Sequence, residues 1–101
     1  MGYILKQNKQ IADSYGNTYE NCYAVIDKVL LDKEKKNATI VLKTYKDRNA
    51  RINNLNALFI DTYFVEEDFD VYFPLDTTIW DSAYIVLTDL YIDKELWEDD
   101  K

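Results

Sequence analysis

Histidine does not occur in this chain of 101 residues. That absence removes imidazole general bases, Ser-His and Cys-His nucleophile pairs and every histidine-ligated metal. A lone cysteine, Cys22, excludes an intramolecular disulfide and all multi-cysteine zinc patterns. Lying between Asn21 and Tyr23 in an apolar stretch, it reads as a small core or surface thiol rather than a reactive one. Two glycines and one proline argue against collagenous, low-complexity or linker-rich designs. No stretch approaches the ~20 apolar residues of a membrane span, and Met1 to Lys6 lacks the apolar centre of a secretory signal. Asn37-Ala38-Thr39 matches the glycosylation triplet, which without a secretory route reads as chance.

What is present suits a packed core. Hydrophobic residues make up 48% of the chain and aromatics 15%, led by nine tyrosines. Folding at 12.0 kDa buries about two-thirds of the unfolded surface. The expectation is one domain over 1–101, with 1–12 as a flexible arm or edge strand and 94–101 as an acidic tail. The net charge of −7 is uneven: residues 1–51 hold ten Lys/Arg against six Asp/Glu, and residues 52–101 hold two against thirteen. Such polarity suggests association through unlike surfaces, unless the fold interleaves the two halves.

Periodicity and punctuation predict an α+β fold. Four to five antiparallel strands form a sheet, with one C-terminal helix packed on it. Residues 3–11 suggest a first strand, and Ser14-Tyr15-Gly16-Asn17 a turn. Residues 21–31 read as a strand largely apolar on both faces, hence central or partly covered. Ala38 to Tyr45 alternates cleanly, so the two strands make an antiparallel hairpin across the charged loop 32–37. Residues 46–56 are a connecting loop with room for a helical turn. Further strands are expected at 57–65 and 69–73, joined by Glu66-Glu67-Asp68 and ended by Pro74. Ile79, Ala83, Leu87 and Leu90 recur at helical spacing after a Thr78/Asp81 capping pair. That stripe is expected to lie against Val25, Ile40, Leu42 and Phe59, with the helix fraying into Glu98-Asp99-Asp100-Lys101.

Two charged constellations are candidate interfaces. Lys43, Lys46, Arg48 and Arg51, flanked by Tyr45, form a basic patch. Overall acidity, with a pI near 4.4, opposes a polyanion there, so an acidic patch on a neighbour suits it better. Glu66, Glu67, Asp68 and Asp70 form the dense carboxylate cluster. It lacks the glycine and twelfth-position Glu of a calcium loop, and a solvated turn that discourages edge aggregation accounts for it. A catalytic reading would use Asp61 with this cluster. The tyrosines fit equally an interface role and ordinary strand enrichment.

Several short segments together resemble small proteins coded among the structural genes of tailed bacteriophages and prophages. They are Val29-Leu30-Leu31-Asp32-Lys33, Lys36-Asn37-Ala38-Thr39-Ile40-Val41, Tyr45 through Ala50-Arg51, Asp61-Thr62-Tyr63-Phe64, Phe69-x-Val71-x-Phe73 and Ala83-Tyr84. The resemblance implies a virion-associated structural component of tail, baseplate or capsid, with no catalytic residues to carry over. The expected function is non-catalytic protein–protein assembly in the virion, reached from the host cytoplasm. No cofactor, metal, membrane or direct nucleic-acid binding is expected. Partners would be other virion proteins, in a homo-oligomer or hetero-assembly. The alternative is a small acidic regulator or inhibitor that covers a basic surface of a host protein, as a nucleic-acid mimic does.

Overall fold

A computed structural model describes residues 2–53, 56–74 and 78–100, with the Arg48 side chain left out. In chain order the elements are β1 (Gly2–Leu5), β2 (Ile11–Ala12), β3 (Thr18–Tyr19), β4 (Tyr23–Asp32), β5 (Asn37–Tyr45), α1 (Arg48–Ile52), β6 (Phe59–Val65), α2 (Phe69–Tyr72), α3 (Ile79–Leu90) and β7 (Trp97–Asp100). A five-stranded antiparallel sheet has the order β6-β5-β4-β1-β7, and β2 pairs with β3 apart from it. The α+β class and the antiparallel sheet are as the sequence suggests.

The hairpin of β4 and β5 follows its pattern closely. Ala38, Ile40, Leu42 and Thr44 on β5 are buried, while the alternate residues are half-exposed, the period-2 signature of a strand with one covered face. Asp32 organises the turn. Its carboxylate accepts from the amides of Glu34 and Lys35, each at 3.1 Å, and Lys36 takes φ 54° to bring the chain back. β4 lies inside the sheet, as its apolar faces require.

Several expectations need correction. Among the described residues there are three helices rather than one, and the last of the described elements, Trp97–Asp100, is a strand. The acidic end does not fray: Trp97–Asp100 pairs with β1 in the register Gly2↔Asp100 to Leu5↔Trp97. Tail polarity hides this strand, because a paired edge needs only backbone complementarity. β1 is accordingly an inner strand, with Tyr3 and Leu5 buried, and it stops at Leu5 where the polar run begins.

Residues 69–73 alternate like a strand but form α2. Phe69 and Phe73 are also one helical turn apart, and their rings stack at 5.3 Å while Val71 is left 74% exposed. Burial of two aromatics on one side outweighs alternation. The expected loop at 46–56 contains α1. The Asp47 carboxylate caps it by accepting from the Ala50 amide at 2.7 Å, which contributes about 1 kcal/mol.

The start of α3 is as expected, with the Thr78 hydroxyl accepting from the Asp81 amide at 3.2 Å. Its buried face is not. Ser82, Ala83, Tyr84, Val86 and Leu87 are covered, whereas Ile79 and Leu90 are 44% and 47% exposed. Only the middle turns of the stripe are covered. The helix packs against α2. Of the expected partners, Val25, Ile40 and Leu42 are buried and Phe59 half-buried. No helix among the described residues is long and apolar enough to cross a membrane.

The chain divides into two compact units. The first comprises Met1–Val25, Lys43–Ile60 and Asp93–Lys101; the second comprises Ile26–Leu42 and Asp61–Ile92. Tyr3, Leu5, Cys22, Tyr23 and Ala24 are buried in the first. In the second, Ile40, Val65, Phe69, Phe73, Ala83, Val86 and Leu87 are buried.

Candidate protein interface

The two charged constellations fall in different units. Lys43, Tyr45, Lys46, Arg48 and Arg51 belong to the first; Glu66, Glu67, Asp68 and Asp70 belong to the second. Lys43 and Tyr45 sit on the half-exposed face of β5, and Lys46 and Arg51 are exposed. The Arg48 side chain lies outside the described residues. The fold interleaves the two sequence halves and reduces their charge contrast. The first unit holds eight Lys/Arg against eight Asp/Glu and is formally neutral, so the second, with four against eleven, carries the whole −7. Residues 61–92 contain eight Asp/Glu and no Lys or Arg.

The carboxylate cluster forms the corner between β6 and α2. Asp68 adopts φ 53° and ψ 33° there, a left-handed conformation that Asp tolerates. Glu66, Glu67, Asp68 and Asp70 are all exposed. Asp70 is engaged within the chain, 2.9 Å from the Lys36 ammonium. Because both partners are largely exposed, that pair contributes about 0–1 kcal/mol. Among the described residues, no group of three or more Cys, Asp or Glu is placed to hold a metal ion.

Beside this corner lies a hollow of about 530 Å³ lined by Phe64, Val65, Glu66, Glu67, Leu90 and Tyr91. Phe64 is 51% exposed, and Leu90 and Tyr91 are also open to solvent. Tyr91 is held from two sides. Its ring lies 4.9 Å from that of Tyr63, and its hydroxyl donates to the Phe64 carbonyl at 3.1 Å. Desolvation, with the Asp61 carboxylate adding to it, holds the Tyr63 phenol above its ordinary value, so it stays neutral. A second hollow, also about 530 Å³, lies between α2 and α3, with Val71, Tyr72 and Ile85 beside Asp81 and Asp89.

Neither hollow is apparent from spacing, which assigns Leu90 to a buried stripe. One signal was available. Tyr63 and Phe64 are neighbours on a strand and must point to opposite faces, so one large aromatic stands outside whichever face is covered.

The tyrosines divide as their positions dictate. Tyr3, Tyr23 and Tyr84 are buried, and Tyr15 and Tyr91 are exposed. Tyr15 stands 90% exposed at the tip of the β2–β3 hairpin, next to Gly16 at φ 86°. The Asp13 carboxylate organises that tip. It accepts from the Tyr15 and Asn17 amides at 2.9 and 3.0 Å and from the Tyr19 hydroxyl at 2.9 Å. Cys22 is a buried free thiol, and desolvation chiefly, with Asp47 adding, pushes it up to about 11. A thiol so placed is protonated and unreactive at neutral pH.

Comparison of the chain with protein-family models, curated proteins and solved structures finds no match.

Proposed function

We propose that this chain is a non-catalytic structural protein that works by protein–protein assembly, in the virion setting its sequence resemblance implies. The observation that supports this reading is the grouping of exposed apolar side chains on the acidic unit. Phe64, Leu90 and Tyr91 share one hollow; Val71 and Ile85 share another. Exposed apolar residues scattered singly are ordinary. Grouped around a concavity and rimmed by charge, they have the make-up of an interface centre. The setting is a tail, baseplate or capsid surface, and the partners are other virion proteins or further copies. Copies meeting head to tail would bring Lys43, Lys46, Arg48 and Arg51 of one against Glu66, Glu67 and Asp68 of the next. Such a contact builds rings or filaments.

The acidity of residues 61–92 favours a second reading. On it, the exposed carboxylates of Asp61, Glu66, Glu67, Asp68 and Asp70 cover a basic surface of a host protein as a nucleic-acid mimic would.

Sedimentation of the intact protein and mass spectrometry of purified particles test the first reading. The expected result is incorporation at fixed stoichiometry, with association of the free protein weakening toward about 0.5 M salt, where screening shortens to a few ångströms. A chain that stays monomeric at high concentration and low salt, and is missing from particles, overturns it.

A further inference from the structure

We infer that the edge of β6, which no second strand among the described residues covers, takes an extended, basic segment of a different protein as an added strand, one apolar side chain of that segment filling the hollow of Phe64, Leu90 and Tyr91. The inference rests on the assembly reading and supplies the chemistry of the partner.

β6 and β7 close the two sides of the sheet. An edge strand offers a row of unpaired N–H and C=O groups, and folded proteins blunt such edges with charge. β7 is blunted by Glu98, Asp99 and Asp100. Within β6 the one charge is Asp61, while Thr62 and Phe64 are exposed beside it. An edge of that kind recruits a strand through main-chain hydrogen bonds, and pockets for alternate side chains select which strand. The hollow at the end of β6 is such a pocket. Tyr91 is already fixed there by the Tyr63 ring and the Phe64 carbonyl, so little ordering remains to oppose binding.

Charge names the occupant. Glu66 and Glu67 form the rim of the hollow, and among the described residues neither makes an ion pair. With no Lys or Arg between 61 and 92, this surface favours a segment bearing several. A second copy does not supply one as an added strand, because its own basic run from Lys43 to Arg51 lies on the inner strand β5, on α1 and between them. Its β7 edge is acidic, its β6 edge would set glutamate against glutamate, and β2 and β3 are two residues each. The complement is therefore a different chain.

The probe is an acetylated and amidated heptapeptide in which Lys alternates with Val, Phe and Val, added to the full-length protein at low salt. Amide NMR shifts and slowed hydrogen exchange are expected at Thr62–Glu67 and at Leu90 and Tyr91. Binding should weaken at least tenfold in the double variant Glu66→Lys, Glu67→Lys, whose melting temperature stays unchanged. N-methylating the peptide on one set of alternate residues should abolish binding, and on the other set leave it intact. Equal binding of a heptapeptide with Glu for Lys, indifference to both N-methylations, or shifts centred on Glu98–Asp100 would each overturn the inference. Protein that self-associates yet ignores the peptide refutes this partner and leaves assembly standing. A monomer that binds the peptide at β6 does the reverse for self-assembly.

Discussion

The two compact units stabilise themselves differently. In the first, positive and negative side chains balance, and a local polar network around Asp13 shapes the β2–β3 hairpin that projects Tyr15. In the second, a twelve-residue helix supplies a buried interior through Ala83, Val86 and Leu87, and the outside carries the net charge and, among the described residues, most of the exposed apolar side chains. Leu30, Phe64, Val71, Ile79, Trp80, Ile85, Leu90 and Tyr91 are exposed there, against Tyr15, Ile52 and Ile60 in the first unit. The pairing of acidity with apolar exposure is physically coherent. Like charge on every copy discourages non-specific association through those apolar residues, while a partner of opposite charge is admitted. On the assembly reading proposed above, the carboxylates act as gate and the apolar side chains as anchor.

The sharpest way to break this comparison is to remove the interior of the second unit. Leu87→Ala should cost about 2–5 kcal/mol, as buried large-to-small changes do, whereas Leu90→Ala, half exposed on the same stripe, should cost under about 1 kcal/mol. Chemical denaturation measures both; similar losses would mean that the covered face of α3 is misassigned.

Next in size is a test of the first unit at Gly2. A Cβ there would meet the Ala24 carbonyl oxygen and the Tyr23 hydroxyl, each at 2.8 Å, and the carbonyl belongs to rigid backbone. Gly2→Ala is expected to destabilise by about 1–3 kcal/mol through overpacking. A denaturation midpoint at the wild-type value would show that β1 yields more readily than its place between two strands suggests.

The smallest effect separates the units by pH. Desolvation alone would raise the Asp13 carboxyl. Hydrogen bonds from Tyr19, Asn17 and Tyr15 outweigh it and hold the group below its ordinary value of 3.8. A lowered folded value means that its contribution is complete above the unfolded value and is lost as pH falls through the folded one. The Asn17 amide should therefore report a titration midpoint below 3.8, and Asp13→Asn should remove that transition while leaving the amides of α3 unaffected. A midpoint at or above the ordinary value would detach Asp13 from the hairpin tip.

Much of the fold was legible because its signals are local. Alternation from Ala38 to Tyr45 and the Asp32 turn specify a hairpin without help from elsewhere, and the Thr78 cap marks the start of α3. The candidate interface was half legible. Charge density marks Glu66 to Asp70 as an exposed corner, but nothing near it in sequence announces Leu90 and Tyr91, which reach the same hollow from the far end of a helix.

By itself, then, the sequence determined the chemistry that is out of reach, through the lack of histidine and of a second cysteine. It also determined the α+β class, the hairpin and the strongly acidic second half. Tertiary structure decided what depends on distant neighbours. Phe69–Tyr72 became a helix because Phe69 and Phe73, one turn apart, could be buried together. Trp97–Asp100 became a strand because β1 offered a backbone partner. Cations near the start of the chain and acids at its end came to share one unit, leaving the whole net charge on the other. Short-range patterns fix which conformations are cheap; which of them is used depends on what the rest of the chain brings alongside.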